Sequence, residues 1–241
     1  MLQATLNGGL TKADHPAVPV STQELVRDAK ACVHYGANAF HIHPRDAKGR
    51  ETLNPEIVDD VVNKVKAACG VAVGVTTGAW IEPKVRLRVA QVRRWTSPDY
   101  ATVNLSEEGS TEVMRALLEA GVGIEAAVWT MEDVHRLEAS GLSDRVLRVY
   151  VEPFRIPAAG AVSFVNRIHQ ALDSLGMEAP RLQHGDGAAT WTLLRDAVRR
   201  GIDTRIGLED TLRGPDGKAT RSNADLVKAA HKICSAPPSK P

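Results

Sequence analysis

Asn38-Ala39-Phe40-His41-Ile42-His43 is a short apolar run that ends on two histidines. In an extended strand, side chains two apart share a face, so both imidazoles project together. Two neutral imidazoles converging at a strand end form half of a zinc site, which needs an anionic third ligand from elsewhere. The sequence offers one late, in Gly207-Leu208-Glu209-Asp210, where another apolar run meets carboxylates. Outward from residue 43 the same kind of run recurs. Strand-like segments fall near residues 2–7, 37–43, 71–76, 100–104, 122–128, 146–152, 181–184 and 204–209. Amphipathic segments lie between them, at 21–35, 54–68, 82–95, 110–120, 130–139, 160–175, 188–200 and 223–234.

Eight strands alternating with eight helices in 241 residues predict a single-domain (β/α)8 TIM barrel in the α/β class. A doubly wound open sheet shows the same alternation. It is disfavoured because no glycine-rich dinucleotide fingerprint follows the first strand, and eight units exceed a typical open sheet. Local signals agree with the helix assignments. Ser21 followed by Glu24 reads as a capping box, Asn54-Pro55 as a helix start, and Gly70, Gly121, Gly141 and Gly201 as helix stops. No linker divides the chain, so the barrel is expected over residues 1–234, with a disordered tail at 235–241.

A net charge of +1 gives no electrostatic case for nucleic acid or a membrane surface. Cys32, Cys69 and Cys234 lack CxxC spacing and read as reduced thiols. The first residues lack a basic, apolar leader, and no run approaches the ~18 apolar residues of a membrane span. The expectation is a cytoplasmic enzyme.

In a barrel of this kind chemistry gathers at the carboxyl ends of the strands. Asn7, His41, His43, Thr76, Thr77, Asn104, Glu125, Glu152, His184, Glu209 and Asp210 are the polar residues at those ends. Strand eight closes against strand one, so Glu209 can complete a His-His-Glu set with His41 and His43, leaving a position open. Asp210 is a possible base, with Arg205 on the same strand lowering its pKa and a dry pocket raising it. Thr76-Thr77-Gly78 can hold a carboxylate through hydroxyls and backbone N–H groups. Glu125 on an apolar strand is costly to bury without a partner, for which a neighbouring Arg is the plain reading. His184-Gly185-Asp186-Gly187 opens the seventh βα loop, a common phosphate site in barrels. The basic run Lys84, Arg86, Arg88, Arg93, Arg94 reads first as a solvated helix face and second as a contact to nucleotide phosphates.

Taken together, these blocks resemble the β-keto acid cleavage enzyme family nearly end to end. The resemblance rests on Leu6-Asn7-Gly8, His41-Ile42-His43-Pro44-Arg45-Asp46, Thr76-Thr77-Gly78, Ala101-Thr102-Val103-Asn104, Ile124-Glu125, and His184-Gly185-Asp186-Gly187-Ala188-Ala189-Thr190-Trp191. It ends with Asp203-Thr204-Arg205-Ile206-Gly207-Leu208-Glu209-Asp210 and Ser222-Asn223-Ala224-Asp225. It implies a zinc-dependent barrel that converts a β-keto acid and acetyl-CoA into acetoacetate and a CoA thioester, working as a homo-oligomer, often a tetramer. By the same resemblance His41, His43 and Glu209 hold Zn²⁺, and Arg205 with Asp210 removes the proton between carboxylate and ketone. Thr76, Thr77 and Gly78 hold the keto acid's carboxylate, Thr102 and Asn104 line its pocket, and Glu125 lies beside the reacting group. Family members often carry Ser where Thr76 stands. Three rival readings remain. A metal-dependent, amidohydrolase-like hydrolase would add His184 and Asp210 to the ligand set, a zinc aldolase would ignore CoA, and a degenerate member would only bind.

Overall fold

A computed structural model describes residues 1–154 and 156–236, and it closes as the alternation predicts. The strands are β1 (Leu2–Thr5), β2 (Ala39–Ile42), β3 (Ala72–Thr76), β4 (Tyr100–Asn104), β5 (Gly123–Val128), β6 (Arg148–Val151), β7 (Arg181–Gln183) and β8 (Asp203–Ile206). All neighbours pair in parallel, and β1 pairs with both β2 and β8, which closes an eight-stranded barrel. The helices are α1 (Thr22–His34), α2 (Pro55–Cys69), α3 (Val85–Val92), α4 (Ser110–Ala120), α5 (Met131–Ala139), α6 (Ala158–Ser174), α7 (Thr190–Arg200) and α8 (Asn223–Cys234). The single-domain (β/α)8 expectation holds. Among the described residues no helix is long and apolar enough to cross a membrane.

Local chemistry sets the boundaries. Ser21 and Glu24 form the reciprocal capping box at the start of α1, satisfying two orphan donors. Asn54 accepts from Glu56 and Ile57 N–H groups ahead of Pro55. Gly70, Gly121 and Gly201 end α2, α4 and α7 in the left-handed conformation that glycine adopts without a Cβ penalty. α3 is shorter than the 82–95 periodicity suggests, running only over Val85–Val92, and Lys84 at its start supplies no side-chain cap. Within that basic stretch Arg88 is buried and donates to the Glu82 and Glu108 carbonyls, while Arg93 pairs with Glu119. These contacts are structural. Ser235 caps α8, and residues 237–241 of the expected tail lie outside the described residues.

The main core lies between sheet and helices, built from residues such as Phe40, Val73, Val103, Met114 and Leu194. The barrel interior is different. Gln3 on β1 donates to the Tyr100 hydroxyl at 3.1 Å and to Glu125 Oε1 at 3.0 Å. β1 does not neighbour β4 or β5, so these bonds cross the lumen. The strand interiors are therefore not purely apolar. Glu125 is the third residue of β5 and not its end, and Arg148 lies 3.3 Å from it. The expected Arg partner is there, deep in the barrel.

One glycine sets the geometry of the last strand. A Cβ on Gly207 would sit 1.8 Å from the Thr5 carbonyl oxygen, so only glycine lets the exit of β8 pass that close to β1. β8 ends at Ile206, and Gly207–Asp210 form a turn in which Asp210 N–H donates to Gly207 O at 3.0 Å. Glu209 thus sits on a turn above the barrel and not on the strand itself, as the 204–209 segment suggested.

Candidate active site

The histidine pair meets at the carboxyl end of β2. His41 Nε2 and His43 Nε2 lie 3.0 Å apart. Glu209 approaches from the turn after β8, with Oε1 3.8 Å from His41 Nε2 and Oε2 3.7 Å from His43 Nε2. Among the described residues these three form the group whose ligand atoms all fall within 4.8 Å of one another.

The surrounding hydrogen bonds fix which nitrogens are bare. Glu51 Oε1 lies 2.6 Å from His43 Nδ1; a carboxylate accepts, so Nδ1 carries the proton and Nε2 keeps its lone pair. Thr102 donates its hydroxyl to Glu125 Oε2 at 3.0 Å and faces His41 Nδ1 at 3.3 Å as the acceptor. That leaves His41 Nε2 bare as well. Burial holds His41 down to about 3, ahead of a smaller opposing pull from Glu209. It is a neutral imidazole throughout the physiological range. Two lone pairs facing each other at 3.0 Å repel, and Glu209 Oε2 is enclosed with no hydrogen-bond partner among the described residues. A divalent cation removes both costs, so the donor set fits a metal. Glu51 then serves as the carboxylate behind a ligating histidine. Burial by itself raises the Glu209 carboxyl, but Arg205 and the two histidines together pull it below the ordinary carboxylate range, so it is ionised.

Beside this group stands a charge pair. Arg205 Nη2 donates to Asp210 Oδ1 at 2.6 Å and to Glu209 Oε1 at 2.9 Å. Thr5 donates its hydroxyl to Asp210 Oδ2 at 2.7 Å, and His184 Nδ1 lies 3.6 Å from Oδ1. Asp210 is fully buried, and that burial pushes its carboxyl up despite Arg205 and His184. This is the dry-pocket effect weighed against the arginine in the sequence reading, and it wins. Arg205 also stacks over the Tyr150 ring at 4.9 Å, which orients the guanidinium.

These groups wall a cavity of about 300 Å³, which also takes in Thr76, Thr102 and Asn104. Thr77, Gly78 and Glu125 are not on that wall. Thr77 spends its hydroxyl on the Thr102 carbonyl at 2.8 Å. Gly78 makes room for an indole, since a Cβ there would sit 2.3 Å from Trp80 Cη2. Glu125 lies beneath that wall, bonded to the Thr102 hydroxyl. His184 stays outside the His41–His43–Glu209 group, buried between Glu152 and Asp210 at 3.6 Å from each. The four-ligand set of the hydrolase reading therefore does not assemble.

Several wall residues are absent from the sequence-based set. Trp80 stacks on the His43 ring at 6.2 Å and donates to Glu51 at 3.2 Å. Trp129 stacks on Phe154 at 5.1 Å and donates to Glu152 at 3.0 Å. Trp80 and Trp129 follow the ends of β3 and β5, so the strand-end rule applied to aromatic residues would have found them. Glu51 had no such signal.

Comparison with known proteins meets this geometry from the other side. The 3-keto-5-aminohexanoate cleavage enzyme of Acetoanaerobium sticklandii is 24% identical over 242 residues, 93% of this chain and 87% of that protein. The 3,5-dioxohexanoate:acetyl-CoA acetone transferase of Paraburkholderia graminis is 28% identical over 96 residues, 39% of this chain and 31% of that one. Among solved structures, apo ObcA superposes with a TM-score of 0.72 at 16% identity. That likeness covers 88% of this chain and 61% of ObcA, and it speaks to the fold alone. A family model described as BKACE, beta-keto acid cleavage enzyme, matches residues 1–239, a span that contains every group in the cavity wall. The chain belongs to the beta-keto acid cleavage enzyme family.

Proposed function

We propose that this protein is a zinc-dependent acyltransferase that converts a β-keto acid and acetyl-CoA into acetoacetate and the CoA thioester of the remaining acyl group. The observation that carries the reading is the juxtaposition of two bare imidazole nitrogens and an orphaned carboxylate oxygen with the buried Arg205–Asp210 pair. The curated relatives named above, one a cleavage enzyme for a keto acid and one an acetyl-CoA acetone transferase, support the substrate pairing.

In this reading His41, His43 and Glu209 hold Zn²⁺, which supplies Lewis acidity at the ketone oxygen and lowers the cost of enolate formation. Asp210 takes the proton from the carbon between carboxylate and ketone. Burial raises its affinity for protons, which strengthens it as a base, and base assistance of this kind typically contributes about 10²–10⁴-fold. Arg205 holds Asp210 Oδ1, Thr5 holds Oδ2, and the pair keeps the carboxylate aimed. The carbanion attacks the acetyl carbonyl of the thioester and expels CoA thiolate. That thiolate then adds to the original ketone, the carbon–carbon bond breaks to give the new thioester, and the proton held by Asp210 returns to the released carbanion to give acetoacetate. Thr76, whose Oγ1 already accepts from Gly78 N–H at 3.1 Å, keeps its hydroxyl proton for the substrate carboxylate, with Asn104 on the same wall. Thr77 and Gly78 shape that corner, and Glu125 positions His41 through Thr102.

The test is a turnover assay on protein of known zinc content, with a panel of β-keto acids and acetyl-CoA. Acetoacetate and a new thioester that appear only with both substrates are the expected result. Zinc-loaded protein that ignores CoA across the panel would sink the reading.

A further inference from the structure

A second cleft, of about 670 Å³, lies between the loop after β7 and the loop after β8. It shares Asp186, Glu209 and Asp210 with the reacting cavity, so the two spaces have a common wall. Its outer part has a different character. Arg195 on α7 and Arg213 in the last loop both line it and are exposed. Arg195 donates to the Trp191 carbonyl at 3.3 Å, and Arg213 to the Gly217 carbonyl at 2.8 Å. Neither guanidinium pairs with a carboxylate among the described residues. Trp191 joins the two loops by donating its indole N–H to Arg213 O at 2.9 Å and presents a half-buried ring to the cleft. Gly187 (φ +55°) and Gly217 (φ +78°) have no atom within 4 Å of a would-be Cβ, so their Cα faces are open to close approach by a ligand.

We infer that this cleft seats the CoA part of the thioester, with Arg195 and Arg213 on its phosphates. The inference rests on the proposed reaction and adds to it where the acyl carrier lies. The reacting cavity, at about 300 Å³, holds a keto acid and an acetyl group but not the carrier behind them. An acetyl thioester needs a longer space beside the reacting centre, and the cleft adjoins it, sharing Asp186, Glu209 and Asp210 as lining. A carrier with a neutral amide arm, anionic phosphates and a flat base matches the kinds of group that line the cleft. Asp186, Glu209 and Asp210 form the side shared with the reacting cavity, and the exposed Gly187, Gly217, Arg195 and Arg213 line the rest with the half-buried Trp191. The seventh βα loop, read from sequence as a phosphate region, thereby acquires a ligand. Among the described residues lining the inner cavity, the cation Arg205 is already committed to Glu209 and Asp210.

Isothermal titration of the full chain with CoA tests this, using wild type, Arg195→Ala, Arg213→Ala and the double variant. Both arginines are exposed, and a melting curve with a zinc titration of each variant checks the fold and the inner site. Each single change is expected to weaken CoA by about tenfold, as for loss of one charge-assisted phosphate contact, and the double variant by about a hundredfold, with zinc affinity unchanged. Equal CoA affinity in wild type and double variant would put the carrier elsewhere and overturn the inference while leaving acetyl-CoA as co-substrate. CoA and zinc affinity falling together would also overturn it, because the arginines would then act through loop collapse. A wild-type protein that binds no CoA at millimolar concentration would overturn both this inference and the proposed reaction.

Discussion

Glu51 Oε1 holds His43 at Nδ1 from 2.6 Å, reaching back from the loop after β2 across the Arg45–Glu51 bridge. The contact fixes the tautomer and the ring plane, so His43 presents Nε2 to His41 and Glu209 without further rearrangement. Trp80 steadies the same carboxylate from outside. Removing such a partner typically costs about 10–100-fold in metal affinity. Glu51→Ala is therefore expected to weaken zinc by that factor, with Glu51→Gln intermediate, in a chelator-competition titration. Unchanged affinity in both variants would show that His43 needs no orienting group.

In the proposed reaction metal binding and proton removal fall to different residues and should separate. His41→Ala is expected to abolish zinc binding and turnover together, because it deletes one of three ligands, a buried neutral imidazole. Asp210→Asn keeps the hydrogen bond from Thr5 and the neighbouring Glu209, so zinc should remain while turnover falls by about 10²–10⁴-fold. Zinc content by metal analysis, set beside rate, checks both. Full activity in Asp210→Asn would remove the aspartate from the mechanism.

The parts legible in the sequence were those written in short range. His41 and His43 are two residues apart on a strand, and the period of two alone brings them together. Glu209 needed the additional step that strand eight closes against strand one, and the turn at Gly207 then corrected its placement from strand to loop. Glu51 was hidden because Asp46-Ala47-Lys48-Gly49-Arg50-Glu51 reads as a solvated turn, and only the folded loop returns the last residue to His43. The Gln3–Tyr100–Glu125–Arg148 layer was hidden for a related reason. Gln3 reaches strands that do not neighbour its own, and Glu125 meets Arg148 from the next strand, so no periodicity in any one segment records the layer.

Gly207 links the scaffold to the site, and its replacement tests that link. Ala at 207 would drive a methyl into the Thr5 carbonyl, which is strand backbone and cannot swing aside. Overpacking against a yielding neighbour typically costs about 1–3 kcal/mol. Here the shift must move β8 away from β1, so at least the upper end of that range is expected in urea unfolding. Because Glu209 follows two residues on, zinc affinity should fall alongside stability. A Gly207→Ala protein with wild-type unfolding and zinc binding would mean the turn relaxes freely.

Asp28 on α1 gives stability a pH dependence away from the active site. Its Oδ2 accepts from Asn223 Nδ2 at 2.6 Å, while the same amide group also donates to the Leu6 carbonyl at 2.7 Å, tying α8 to the end of β1. Burial pushes the carboxyl up to about 6 from an ordinary 3.8, against the opposing pull of Asn223 and Lys12. The folded state thus holds this proton more tightly than the unfolded chain does. Its contribution is fully present below about pH 3.8 and is lost as pH rises through about 6, where folding must accommodate a buried negative charge. Asp28→Asn keeps the acceptor for Asn223 and removes the ionisation. The variant should match wild type near pH 3.5 and exceed it at pH 7, by up to about 3 kcal/mol at 1.36 kcal/mol per pH unit. The measurement is the difference in unfolding free energy between the two proteins across that range, which cancels every group they share. A difference that stays flat from pH 3.5 to 7 would show that Asp28 is as solvated in the fold as in the unfolded chain.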